Sequence, residues 1–146
     1  MTTVSDEDVF AAFPTVPIDH DNLEHYRGLL SQRLLVNRCS ACGMWIYPHR
    51  PMCPRCWSWD VAPTEVSGEG SVFMFTLIHQ ERDPNAPTSE PTVVAAIELA
   101  EQEGLRYLSQ IVNCPLDAIA LDMPVRLVWV ERNGRPAPAF EPTGRS

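Results

Sequence analysis

Two Cys-x-x-Cys hooks, Cys39-Ser40-Ala41-Cys42 and Cys53-Pro54-Arg55-Cys56, stand ten residues apart and constrain this chain more than any other feature. Each hook offers two sulfurs to one metal ion, and the stretch between them can fold back as a hairpin, which is what tetrahedral thiolate coordination requires. Gly43, directly after the first hook, permits the left-handed turn that aims backbone N–H groups at sulfur. The pattern predicts one metal site built from Cys39, Cys42, Cys53 and Cys56. Zinc is favoured over a rubredoxin-like iron, because a structural role needs no redox tuning. Four protein ligands leave no open position for water or substrate, so the metal is expected to hold structure rather than do chemistry. A ribbon of about 30 residues buries too little apolar surface to fold alone, and metal binding can supply roughly 10–16 kcal/mol of apparent folding free energy.

The charge distribution sets the ribbon apart. The formal net charge is −8, yet residues 1–26 carry six acids and no base, whereas residues 27–59 carry five arginines and no acid. Four thiolates around Zn²⁺ leave two formal negative charges, and Arg38, Arg50 and Arg55 are placed in sequence to offset them. All 11 basic residues are arginine, so no lysine is available for Schiff-base chemistry or for a phosphate-binding loop. The acidic excess argues against a duplex nucleic-acid partner. Apolar runs such as Val93–Ile97 fall far short of the roughly 20 residues that cross a bilayer, so no membrane span is expected. Ser5, Asp6, Glu7 and Asp8 occupy the place where a secretion signal carries positive charge, so a cytoplasmic location is expected, with the cysteines reduced or metal-bound.

Ser5 and Asp8 form a capping-box pattern ahead of Val9, Phe10 and Phe13, which predicts a short helix stopped by Pro14 and Pro17. A second helix is expected from Asp21, with Glu24 three residues on and Leu23, Tyr26, Leu29 or Leu30, and Leu34 at helical spacing. Its apolar stripe covers either the chain's own core or a partner. From Val66 the pattern turns to strands: Val72–His79, Thr92–Leu99, Leu105–Val112, Val125–Glu131 and a short edge strand near Ala137–Glu141 flanked by Pro136 and Pro138. Gly104 closes one hairpin, Asn133-Gly134 another, and a bend is expected at Gly68 or Gly70. The fold class is therefore mainly β with N-terminal helices, a zinc ribbon followed by a five-stranded OB-fold barrel. The corresponding divisions are residues 1–35, 36–64 and 65–146. The proline-bearing stretch Gln80–Pro91 reads as an irregular excursion at the binding end of such a barrel.

Trp45, Tyr47, Trp57 and Trp59 are expected to pack the ribbon against the barrel, any exposed subset marking a contact surface. Cys114, outside the hooks, reads as a small buried apolar residue, with His79 its one candidate base. His20, His25 and His49 read as helix-start or ribbon-surface residues. No Ser-His-Asp order, Gly-rich phosphate loop or telling carboxylate pair is present, and no catalytic residue is assigned.

The succession Asn22–Leu34, Arg38-Cys-Ser-Ala-Cys-Gly43, Pro48-His-Arg-Pro-Met-Cys-Pro-Arg-Cys56 and Ser67-Gly-Glu-Gly-Ser–His79 resembles the acyl-CoA-associated OB-fold family with an N-terminal rubredoxin-like zinc ribbon. The likeness runs from about Asp21 to Pro142, including the Asp122-Met-Pro-Val125 entry to a late strand, where the family often has glycine in place of Asp122. The resemblance implies an accessory, non-catalytic subunit of a thiolase-like, lipid-transfer-type protein acting on acyl-CoA thioesters. It favours an aldolase that cleaves steroid-CoA side chains, with a condensing or acetyl-transferring thiolase as the alternative. The implied complex is a heterotetramer with two copies of each chain, joined through the helix from Asp21 to Arg33 and the ribbon aromatics. Arg82, Arg132 and Arg135 could there meet CoA phosphates. A single-stranded nucleic-acid-binding OB protein is the reading from another class, but residues 60–146 carry thirteen acids against six arginines.

Overall fold

The computed structural model describes residues 4–79, 91–132 and 134–144. Most of the proline-bearing stretch, with Arg82, lies outside them, as does Asn133. Helix α1 (Asp6–Ala12) starts as its sequence demands: the Ser5 hydroxyl accepts from the Asp8 N–H at 3.1 Å, and the Asp8 carboxylate accepts from the Ser5 N–H at 3.2 Å. Helix α2 (Leu23–Leu30) is shorter at both ends than its apolar spacing suggests. Asp21 and Glu24 form no capping box. Instead the Asp19 carboxylate accepts from the N–H groups of Asp21 and Asn22, and Glu24 turns to Arg27. At the far end the Arg33 N–H donates to the Gly28 carbonyl at 2.8 Å while Gln32 takes φ +56, a left-handed stop that lets the chain double back. Gly28 is required there, because a Cβ would lie 2.7 Å from the Arg33 carbonyl oxygen. Leu34 therefore reaches the core from extended chain, not from the helix.

The stripe of α2 faces the protein's own interior. Leu29 is buried, and the helix packs on the strands Leu35–Cys39 and Arg135–Pro142. Phe13 lies against Tyr26 at 5.0 Å between ring centroids, and Arg27 bonds Asp6 and the Val4 carbonyl, fastening α1 over α2.

Strands β1 (Leu35–Cys39), β2 (Trp45–Ile46) and β3 (Val61–Glu65) form an antiparallel ribbon in the order β2-β1-β3. Strands β4 (Glu69–Ile78), β5 (Thr92–Leu99), β6 (Arg106–Gln110), β7 (Pro124–Arg132) and β8 (Arg135–Pro142) form a second antiparallel sheet in the order β6-β5-β4-β7-β8. A parallel bridge from Ile111 to Phe140 brings its two ends together, giving a nearly closed five-stranded OB barrel. Curvature enters at β4. Gly68 sits at φ +89, Gly70 admits the Glu98 carbonyl where a Cβ would be 2.5 Å from it, and a bulge falls between Val72 and Met74. Asp122 takes φ +65, the backbone region that glycine favours, and its N–H closes on the Val72 carbonyl at 2.7 Å.

One continuous core joins ribbon to barrel. Leu34, Val36 and Trp45 share it with Val72, Ile97, Leu99, Leu105, Val125 and Phe140, the last fully buried. The joint is also hydrogen-bonded: the Gln102 side-chain amide accepts from the Trp45 N–H at 2.9 Å and donates to the Trp45 carbonyl at 3.0 Å, acting as one rung of an extra strand.

Candidate metal centre and its surroundings

Cys39 ends β1, and the chain turns so that the Gly43 N–H donates to the Cys39 carbonyl at 2.9 Å. The second hook repeats that turn, the Trp57 N–H donating to the Cys53 carbonyl at 2.9 Å. The two knuckles face each other, Sγ of Cys39 standing 3.6 Å from that of Cys56 and Sγ of Cys42 3.6 Å from that of Cys53. All four sulfurs lie within 4.8 Å of one another. Zinc–sulfur bonds of about 2.3 Å in a tetrahedron put sulfurs about 3.8 Å apart, so the donor set fits Zn²⁺ as it stands. The site is a structural zinc centre, closed by four protein ligands.

Proton affinities within the cluster show why a cation belongs there. Backbone N–H groups of Cys42 and Ala41 lower the Cys39 thiol. Burial opposes ionisation of Cys53, but N–H groups of Cys56 and Arg55 with the Cys42 thiol outweigh it and bring that thiol to about 7. Cys56 is favoured as thiolate by the Ser58 N–H, yet burial and the other three sulfurs push it up to about 12. A cation held among the four sulfurs would favour loss of that proton. Arg38 serves the first knuckle with its side chain, its Nε donating to the Gly43 carbonyl at 3.2 Å and its guanidinium lying 4.9 Å over the Trp45 ring; Arg50 and Arg55 are exposed.

The four ribbon aromatics divide. Trp45 is buried and Tyr47 half-buried in the core, whereas Trp57 and Trp59 point outward, so the expectation that all four pack the joint is corrected. The histidine expectation is corrected too. His20 is exposed, but His25 is buried, its Nδ1 2.9 Å from the Leu35 carbonyl oxygen, and its ring touches His49 at 4.8 Å, Tyr26 at 5.1 Å and Tyr107 at 5.8 Å. Burial drives its pKa down to about 4 and lowers that of His49, whose Nε2 is enclosed without a hydrogen-bond partner among the described residues. Burial likewise raises Tyr47 and Tyr107. The clue in the sequence was His25 at four residues from Leu29, on the same face of α2.

The remaining candidates stand apart from the metal. Arg132 donates to the Gln110 side chain at 3.1 Å, while Arg135 lies 4.5 Å over the Phe13 ring. Cys114 is half-buried, its Sγ 3.4 Å from the Pro115 carbonyl oxygen, and His79 is exposed just beyond the end of β4. A cleft of about 620 Å³ opens between β4, β5 and β7, edged by Glu69, Glu98 and Glu103 against Arg126. No helix among the described residues is long and apolar enough to cross a membrane.

The ChsH2 rubredoxin-like zinc ribbon model matches residues 27–61, and the ChsH2 C-terminal OB-fold model matches residues 63–130. A probable enoyl-CoA hydratase alpha subunit of Thermomonospora curvata is 34% identical over 130 residues, 88% of this chain and 40% of that protein. A DUF35 domain-containing scaffold protein of Methanothermobacter thermautotrophicus is 34% identical over 99 residues, covering 64% of this chain and 68% of its own length. The 3-oxo-4,17-pregnadiene-20-carboxyl-CoA hydratase alpha subunit of Mycobacterium tuberculosis is 30% identical over 95 residues, 63% of this chain and 29% of that protein. The chain thus spans well under half of the two hydratase subunits. Among solved structures, a chain of an Ltp2-ChsH2(DUF35) aldolase superposes with a TM-score of 0.75 and 34% identity, over 87% of this chain and 98% of that one.

Proposed function

This chain belongs to the ChsH2 family of rubredoxin-like zinc ribbons with a C-terminal OB fold, and from that we propose that it is a non-catalytic accessory subunit of a thiolase-like, sterol-carrier-type enzyme acting on acyl-CoA thioesters. The reaction is a retro-aldol cleavage, in which a β-hydroxyacyl-CoA splits at its Cα–Cβ bond into a carbonyl compound and a shorter acyl-CoA. The observation that carries this reading is the near-complete overlap with a chain of the Ltp2-ChsH2(DUF35) aldolase. The pregnadiene-carboxyl-CoA name of the mycobacterial relative favours a steroid side chain as the acyl group.

The chemistry of the chain supports an accessory role. Its metal is enclosed by four sulfurs, its buried His25 imidazole serves packing against His49, and the Cys114 thiol faces a backbone carbonyl. Proton transfer and carbanion stabilisation then fall to the partner. The complex contains two copies of each chain in the cytoplasm, and Arg82, Arg132 and Arg135 meet the CoA phosphates at the mouth of the partner's active site.

Coexpression with the thiolase-like protein of the same cell tests the reading. Both chains should co-purify, and steroid β-hydroxyacyl-CoA should be cleaved by the complex but not by the isolated chain. Cys114→Ala should leave that activity intact, and neutralising the three arginines should raise KM without dissolving the complex. Failure to associate at micromolar concentration, or turnover by the isolated chain, defeats it. The two hydratase-subunit relatives favour a second reading, a hydratase complex, which hydration of an enoyl-CoA by the same preparation would reveal.

A further inference from the structure

The turn beyond the second zinc knuckle carries two tryptophans for which the fold has no use. Trp57 is 73% exposed and Trp59 72% exposed, one on each side of Ser58. Trp57 occupies the place that Gly43 holds in the first knuckle: each sends its N–H back to the carbonyl of the hook's first cysteine, and each has positive φ, +64 for Trp57 and +82 for Gly43. Glycine adopts that backbone freely, whereas an L-residue is strained there. A bulky ring at this position therefore costs backbone strain and leaves apolar surface in water. Neither local geometry nor packing among the described residues accounts for it.

Resting on the reading of the chain as a subunit of a thiolase-like enzyme, we propose that Trp57 and Trp59 are the anchors by which the ribbon tip docks into an apolar, acid-rimmed pocket of the thiolase-like subunit. Two such rings bring roughly 300–500 Å² of contact, a large part of the roughly 800 Å² that each side of a stable interface contributes. Arg55, two residues before Trp57, and Arg50, three before Cys53, are exposed and in no ion pair with a described acid, while Asp60 follows Trp59 directly in sequence. A second copy of this chain is a poor occupant. A two-fold contact between tips sets Arg50 and Arg55 against their own counterparts and brings two bodies of net charge −8 together. A nucleic-acid strand is a poor occupant as well, because the chain carries a net charge of −8 and a cleft of the barrel is edged by Glu69, Glu98 and Glu103 against the single Arg126. Helix α2 spends its apolar stripe on the chain's own core, which leaves the two ribbon tryptophans as the exposed aromatic pair of the proposed interface.

The test measures affinity of the full, zinc-loaded chain for the purified thiolase-like subunit by titration calorimetry. Trp57→Gly and Trp59→Ala should each raise Kd about thirtyfold or more, the effect of removing an aromatic anchor. Both variants should keep the zinc content of the parent chain, and Trp57→Gly should melt no lower than it, since glycine relieves the knuckle. Arg50→Gln with Arg55→Gln should slow association and flatten its salt dependence. If the unaltered chain does not bind the subunit, the proposed function falls and this surface with it. If it binds and both tryptophan variants bind equally well, the function stands and the docking site is wrong. Loss of binding instead in Met74→Asn with Leu108→Asn, two exposed residues joined across the sheet through Ala96, would move the contact to the outer face of β4–β6. Binding of a thymidine oligonucleotide, or a homodimer in native mass spectrometry, abolished by Trp57→Gly would also overturn the assignment.

Discussion

Acidification should loosen this protein through His25. The imidazole is buried against His49, Tyr26 and Tyr107, and burial lowers its pKa from 6.5 to about 4 in the folded chain. The bond from its Nδ1 to the Leu35 carbonyl opposes that shift, and the neighbouring His49 adds to it. The folded state thus prefers the neutral ring, and the unfolded chain takes up the proton first as pH falls. The stability held by the neutral ring is complete above the unfolded value of 6.5 and is lost on descent toward about 4. At about 1.4 kcal/mol per pKa unit the full loss is about 3 kcal/mol, of which about 1.4 kcal/mol is gone between about pH 7.5 and about pH 5.5. For a chain of this size that corresponds to roughly 3–6 °C in Tm. His49 contributes in the same direction, partly offset by the carboxylates of Asp19 and Asp21. Urea unfolding of zinc-loaded protein across that range would measure the slope, with His25→Gln as reference because glutamine keeps a donor for Leu35 but does not titrate. The difference between the two should shrink by about 1.4 kcal/mol on acidification, while zinc release, common to both, cancels. Parallel pH profiles would show that His25 is solvated, and the packing argument would fail.

Elemental analysis of protein prepared without added metal should find one zinc per chain at Cys39, Cys42, Cys53 and Cys56, and Cys53→Ser should remove both the metal and most of the thermal transition; an unchanged Tm would contradict a structural role. Gln102→Leu should cost about 2 kcal/mol, read by denaturant titration, because it deletes both hydrogen bonds to the Trp45 backbone; a loss below about 0.5 kcal/mol would mean that the joint rests on the apolar core alone.

The metal centre and the strand order of events along the chain were legible because the information is local. Hook spacing decides ligand geometry within a few residues, Ser5 and Asp8 satisfy each other across one turn, and the β-branched runs of β4, β5 and β7 alternate faces whatever they pack against. Other features depended on groups brought together from far along the chain. The stop of α2 at Leu30 is set by contact of Gly28 with Arg33 and Leu35, so helical spacing extending to Leu34 misread an extended residue as a helical one. His25 became buried and His49 half-buried because Tyr47 and Tyr107 pack against this pair of rings, and an imidazole carries no mark in sequence of whether water will reach it. Likewise Trp45 and Trp57 are one residue type within one ribbon. What separates them is that Trp45 lies in β2 at the joint and Trp57 in the turn after the second knuckle, and only the docking of ribbon on barrel through Gln102 and the shared core decides that one ring is enclosed and the other exposed.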